Sequence, residues 1–93
     1  MYLHIGLDTI IKREDVIGIF DLDTSTVSKA TRNYLTKAEK DGKVITVGYE
    51  LPKSFILTEN KKDGDKIYIS QISSSTLLKR AQSIAVIFDK NNK

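Results

Sequence analysis

Ninety-three residues with 40% hydrophobic and 29% charged side chains describe one ordinary globular domain, too short for two independent cores and too apolar for a disordered chain. Fifteen Lys and Arg against twelve Asp and Glu leave a formal charge of +3, a mild basic excess that allows an anionic partner without requiring one. The absence of cysteine removes disulfides, thiolate metal sites and thiol catalysis together; no apolar run approaches the roughly 18 residues of a membrane span and no secretory leader is legible, so the expected setting is the cytoplasm, without membrane contact.

Tyr2–Ile5 followed by Gly6, then Thr9–Lys12 and Val16–Leu22, read as three short strands joined by polar turns at Leu7-Asp8 and Arg13–Asp15. From Thr24 to Lys40 the period changes, because Val27, Ala30, Thr31, Tyr34, Leu35 and Ala38 fall at the three-and-four spacing of one helix face. Asp23 or Thr24 is placed to cap that helix, Asp21 and Asp23 suit the positive end of its dipole, and Lys37 and Lys40 suit the negative end. Gly42 supplies the left-handed residue that commonly stops a helix.

Val44–Tyr49, Ser54–Glu59 and Lys66–Ile72 read as three more strands, the last two forming a hairpin through the polar turn Asn60–Asp65. Pro52, the only proline, fixes its own φ and lacks an N–H, so the segment from Glu50 to Lys53 is expected as an exposed connection and a natural contact site. Ser73–Thr76 offers caps for a second helix carrying Leu77, Leu78, Ala81, Ile84, Ala85 and Phe88. Ile84–Phe88 reads equally as a terminal strand, since periodicity does not arbitrate over five residues. The order βββαβββα gives an α+β fold: a mostly antiparallel sheet of short strands with two helices. Residues 1–83 form the single domain, and 84–93 a C-terminal extension, apolar and then polar.

Catalytic chemistry is thin. His4 is the only histidine and has no Ser or Asp partner in a recognisable motif, so it reads as a half-buried strand residue. Asp21 and Asp23 are explained by helix capping more cheaply than by a shared metal or proton, and the five glycines are scattered rather than set to cradle phosphates. The chain is therefore expected to be no enzyme, with no cofactor, no metal and no small-molecule substrate.

The basic residues are more informative. Lys29, Arg32, Lys37 and Lys40 lie off the apolar face of the first helix with only Glu39 opposing them, a solvent-facing surface suited to phosphates. The competing reading is a solvated face whose lysines match the helix dipole. Lys12 with Arg13, Lys61, Lys62 and Lys66, and Lys79-Arg80 add further positive rims, none interleaved with aromatics as a single-strand platform requires. Arginine occurs only at Arg13, Arg32 and Arg80, so any DNA contact is expected at the backbone rather than at base edges, with affinity gathered from several subunits.

Tyr2-Leu3-His4-Ile5-Gly6, Val16-Ile17-Gly18-Ile19-Phe20-Asp21-Leu22-Asp23, Thr31-Arg32-Asn33-Tyr34-Leu35, Leu51-Pro52-Lys53-Ser54-Phe55-Ile56 and Tyr68-Ile69-Ser70-Gln71-Ile72 with Thr76-Leu77-Leu78-Lys79-Arg80 together resemble the RemA/RemB family of extracellular matrix regulators, from Met1 to about Arg80. The resemblance implies a small bacterial cytoplasmic protein, a homo-oligomeric ring, and control of biofilm-matrix genes through DNA binding. It also implies where that contact lies: RemA-type sequences carry an arginine pair after the strand that follows the first helix, and another arginine before the third strand. Aligned on the apolar strands, this chain has Glu50 and Leu51 in place of the pair and Asp15 in place of the earlier arginine. Arg for Glu exchanges attraction to a phosphate for repulsion. The candidate DNA-binding residues are accordingly Arg13, Lys29, Arg32 and Lys53. The alternative expectation is an oligomeric scaffold or protein-interaction module without DNA contact, using Ile84–Phe88 and the strand edges.

Overall fold

The computed structural model describes residues 1–25 and 28–91. Strands β1 (Tyr2–Gly6) and β2 (Thr9–Lys12) form an antiparallel hairpin, and a single 3-10 turn over Arg13–Asp15 leads into β3 (Val16–Asp21). Helices α1 (Leu22–Ser25) and α2 (Lys29–Lys40) follow, then β4 (Val44–Val47), β5 (Ser54–Asn60), β6 (Gly64–Ser70) and α3 (Ser74–Asn91). No helix is long and apolar enough to cross a membrane among the described residues.

The strands after the hairpin form one sheet in the order β3-β5-β6-β4. β3 pairs with β5 and β5 with β6 antiparallel, whereas β4 lies parallel to β6. The α+β class holds, and this parallel pair is the departure from the expected antiparallel pattern. Its cause is that β6 returns between β4 and β5, strands that are neighbours in sequence. The Gly48–Lys53 connection must then cross two strand spacings, about 10 Å, which a tight turn does not span.

Both faces of the sheet are covered. On one, Leu3, Ile5 and Ile11 of the hairpin and Leu77 of α3 bury against Val47 and Ile56, with Val16, Ile19, Tyr68 and Ile72 around them. On the other, Ala38 and Leu35 of α2 pack over Phe55, Ile67, Val44, Leu57 and Ile69, with Leu22. Alternation along β5 sends Phe55 and Leu57 to one layer and Ile56 to the other, as a central strand between two covers requires. β3 achieves the same only through a bulge. Val16 pairs with Thr58 but Gly18 with Leu57, which ejects Ile17 to solvent and lets Val16 and Ile19 share a face.

The hairpin is fastened to the sheet by one buried hydroxyl, and a second braces the segment after β6. Ser70 Oγ donates to the Ile5 carbonyl at 2.6 Å and accepts from the Ile72 N–H at 3.0 Å, while Ser54 Oγ donates to the Ile72 carbonyl at 2.7 Å. Arg80 of α3 adds a surface tie, its Nη1 donating to the His4 carbonyl at 3.0 Å. His4 itself is exposed rather than half-buried, with Nε2 2.6 Å from the Leu7 carbonyl. In a hairpin with one face on the core, the alternation that buries Leu3 and Ile5 turns His4 outward.

The first helix differs from its expected span. The Thr24 N–H donates to Asp21 Oδ1 at 3.1 Å, closing the one-turn α1; α2 then starts afresh behind Ser28, whose Oγ accepts from the Thr31 N–H at 3.5 Å. Ser28, not Asp23 or Thr24, caps the long helix, and Val27 lies outside the described residues. The buried stripe is correspondingly short: Leu35 and Ala38 pack, while Ala30 and Tyr34 stay exposed. At the other end Gly42 adopts φ +71°, with Gly42 N–H donating to the Glu39 carbonyl and Lys43 N–H to that of Ala38, a Schellman closure as expected. The second helix is capped by Ser73, which accepts from the Thr76 N–H at 3.3 Å, and its backbone continues through 84–88 to Asn91. The strand alternative for Ile84–Phe88 therefore falls: no sheet edge receives it, and the helical spacing that begins at Leu77 carries on. Asn92 and Lys93, the end of the expected tail, lie outside the described residues.

Two substitutions test these joints. Ser70→Ala strands the Ile5 carbonyl and the Ile72 N–H inside the fold and is expected to lower unfolding free energy by about 1–3 kcal/mol in urea melts. Gly48→Ala places a Cβ on the Gln71 side chain at φ +110° and is expected to cost about 1–3 kcal/mol, with faster amide exchange confined to the following loop.

Candidate nucleic-acid interface

The sheet has two ends, and the basic residues divide between them. At the first, the Leu22 N–H donates to the Lys53 carbonyl at 3.0 Å and the Lys53 N–H donates to the Ser70 carbonyl at 2.8 Å. The Lys53 backbone is thus clamped between the ends of β3 and β6 while its side chain stays exposed. The start of α2 belongs to this end, because Ser28 and Ala30 line one groove with Thr24 and Phe20. Lys29 and Arg32 project from the first turns of α2, and Lys37 and Lys40 from the last ones, all exposed, with Glu39 the one acid on the helix.

Arg13 sits at the opposite end of β3, six residues away along the strand, about 20 Å from the Lys53 end. Its N–H donates to the Met1 carbonyl at 2.9 Å, and its Nε is enclosed without a hydrogen-bond partner. The side chain is partly buried, lying against the protein rather than reaching away from it. Of the candidate residues, then, Lys29, Arg32 and Lys53 share one end and Arg13 stands apart.

One grouping was not legible from spacing. Lys12 beside the 3-10 turn and Lys61 and Lys62 of the β5–β6 turn, far apart in sequence, line one open groove at the Arg13 end. Glu14, Asp15 and Glu59 line it too, so three bases face three acids and the local field largely cancels. Asp15 is occupied structurally: Asn60 Nδ2 donates to its Oδ2 at 3.1 Å, and Asn60 Oδ1 accepts from the Lys62 and Asp63 N–H groups. Asp15 is thus a latch between the 3-10 turn and the hairpin. Nearby, the Met1 ammonium lies 3.0 Å from Glu14 and, by hydrogen bonding to it, holds that carboxyl below its ordinary pKa. This small contribution is present above the ordinary carboxylate value and is lost as pH falls through the lowered one.

The Gly48–Lys53 connection is the second notable surface. The Glu50 N–H donates to Gln71 Oε1 at 3.3 Å, which anchors the arch to the end of β6. Tyr49 and Leu51 are 94% and 83% exposed, beyond what a loop residue with packing duties would show. Sequence reading located this loop through Pro52 but not its apolar display, because alternation assigned Tyr49 to the preceding strand. Among the described residues no cluster of three or more His, Cys, Asp or Glu side chains is arranged to hold a metal ion.

Comparison with known proteins gives the family. Residues 2–81 match the RemA-like family, described as extracellular matrix regulatory protein A-like. The chain is also 38% identical over 82 residues to extracellular matrix regulatory protein B of Bacillus subtilis (strain 168), an alignment covering 88% of this chain and 91% of that one. With the match running from β1 into α3, the chain belongs to the RemA-like family of extracellular matrix regulatory proteins.

Proposed function

We propose that this chain is a non-enzymatic, DNA-associated transcriptional regulator of biofilm-matrix genes, acting in the cytoplasm as a homo-oligomeric, ring-like assembly. The observation that carries the reading is the solvent face of α2, where Lys29, Arg32, Lys37 and Lys40 are exposed and Glu39 is the one acid of the helix, Asp41 and Asp65 lying beside Lys37, with Lys53 at the same end as Lys29. Family membership supports the regulatory part. A single copy offers few phosphate contacts, so binding at physiological salt depends on repetition: each copy raises the effective concentration of the next on the same duplex. Lysines position a protein on the backbone and read little sequence, so recognition rests on DNA shape and on the spacing of repeated contacts.

A second reading, an oligomeric interaction module without direct DNA contact, is favoured by one observation. Tyr49 and Leu51 are displayed around Glu50, which suits an apolar protein contact better than a phosphate. A salt series on duplex DNA separates the two. The regulator loses affinity linearly in log salt with a slope of about −0.9 per neutralised phosphate, and the double variant Arg32→Glu with Lys53→Glu abolishes binding. Arg13→Glu, at the distant end, weakens it less. No binding by the assembled wild type at low salt overturns the DNA reading in favour of the interaction module.

A further inference from the structure

We propose that the outer face of the β1–β2 hairpin is a stacking platform for single-stranded DNA, on which Tyr2 and His4 each take a base and Lys12 and Arg80 take the phosphates. It is a second nucleic-acid surface, on residues that the duplex contact proposed above does not use.

The face is built by strand register. Tyr2 lies opposite Lys12 and His4 opposite Ile10, so these side chains share the side of the hairpin turned away from Leu3, Ile5 and Ile11 in the core. All are exposed, Tyr2 to 61% and Ile10 to 57%. Along the sequence neither Lys12 nor Arg80 has an aromatic neighbour. The pairing of β1 with β2, and the tie from α3, bring each of them beside a ring.

Both rings stand on braced backbone. Met1, next to Tyr2, is held through its ammonium on Glu14 at 3.0 Å and through its carbonyl, which accepts from the Arg13 N–H at 2.9 Å. The His4 ring is gripped at its edge, with Nε2 2.6 Å from the Leu7 carbonyl and Nδ1 3.4 Å from Arg80 Nη1. A ring held by its two nitrogens keeps its π-face for contact. Every base has a matching face, so stacking of this kind tolerates any sequence.

Spacing selects a single strand. Tyr2 and His4 alternate on β1 and so stand about 7 Å apart, twice the ~3.4 Å step of stacked bases. Bases inside a duplex are covered by their neighbours and closed to both rings, whereas an extended single strand gives one base to each. Lys12, across from Tyr2, and Arg80, beside His4 on the α3 side, are opposite corners of the face. A backbone crossing between them meets a cation at either end. Arg80 Nη1 is committed to the hairpin, leaving Nε and Nη2 as its donors to a phosphate. Asp8, at the turn, is the one acid of the hairpin, and Glu14 is engaged by the Met1 ammonium. Lys12 also borders the mixed groove with Asp15 and Glu59, so the rings rather than the charges carry most of the affinity. Ile10, opposite His4, places an aliphatic surface where the sugars pass, which suits deoxyribose better than a ribose with its 2′-hydroxyl.

Fluorescence anisotropy of a labelled oligothymidylate, with the full chain at low salt and a duplex measured in parallel, tests the platform. The wild type is expected to bind the single strand. Tyr2→Ala and His4→Ala should each weaken that binding about tenfold, with circular dichroism and duplex binding unchanged, while Tyr2→Phe, which keeps the ring, binds like the wild type. A wild type that ignores the oligothymidylate overturns the proposal, as does Tyr2→Ala binding as tightly as the wild type. Loss of single-strand binding in the Arg32→Glu, Lys53→Glu double variant overturns it too, by assigning both nucleic acids to α2. Tighter binding of an oligouridylate of equal length overturns the choice of DNA. A wild type that binds the single strand through Tyr2 but no duplex supports the platform while overturning the duplex reading.

Discussion

The placement of β6 between β4 and β5 is the constraint on which the rest of the structure depends. It makes β4 parallel to β6, buries β5 and β6 as central strands, and forces the chain after β4 to arch over the end of β6. It also brings Ser70, the last residue of β6, beneath the N-terminal hairpin, where one hydroxyl satisfies both the Ile5 carbonyl and the Ile72 N–H. A buried hydrogen bond of this kind specifies position as well as contributing energy, because any other seating of the hairpin leaves the Ile5 carbonyl unpaired. The arch and the hairpin are therefore coupled through one strand end. Lys53 donates its N–H to the carbonyl of the same Ser70 whose side chain holds Ile5.

Electrostatics follows from this topology rather than from net charge. An excess of +3 spread evenly would steer nothing strongly, but α2 crosses one face of the sheet with its cations outward, while the opposite end of β3 gathers Lys12, Lys61 and Lys62 among an equal number of acids. The far groove largely cancels its own field, whereas the helix carries four cations to one acid, with Asp41 and Asp65 beside Lys37 at its far end. Exposed charges lose their influence beyond a Debye length of about 8 Å at physiological salt, so two basic ends some 20 Å apart act as separate surfaces. An assembly that repeats only the α2 face would present a band of one sign.

Much of this was legible in the residues. The strands emerged within two or three residues because alternation and turn chemistry agreed, as at Gly6-Leu7-Asp8 and Asp63-Gly64, and the helix ends marked by Gly42 and Ser73 were sound. What was not legible depended on contacts distant in sequence. Ser28 displaced the expected caps Asp23 and Thr24 because both lie inside the separate one-turn α1, which Asp21 caps, a break that a propensity argument does not see. The side of the sheet taken by β4 is a tertiary choice, since hydrophobic pattern specifies faces and not neighbours. Three of the four candidate basic residues share one end, whereas Arg13, grouped with them by charge alone, lies with the 3-10 turn.

Asp15 and the arch each have a definite physical role in the structure. Asp15 latches a turn by accepting from Asn60, a role an arginine, with donors only, would not fill. At the arch, Glu50 and Leu51 present an acid and an exposed aliphatic chain, and Tyr49 extends the apolar display. Such a surface repels a polyanion locally and gains from being covered by protein. Lys53 keeps its charge one residue past the proline, at the end from which α2 begins. An arch that contacts protein through Tyr49 and Leu51 while Lys53 and Lys29 stay at the rim would let assembly bring basic groups of neighbouring copies together. Assembly and DNA affinity would then be linked by geometry rather than compete for the loop.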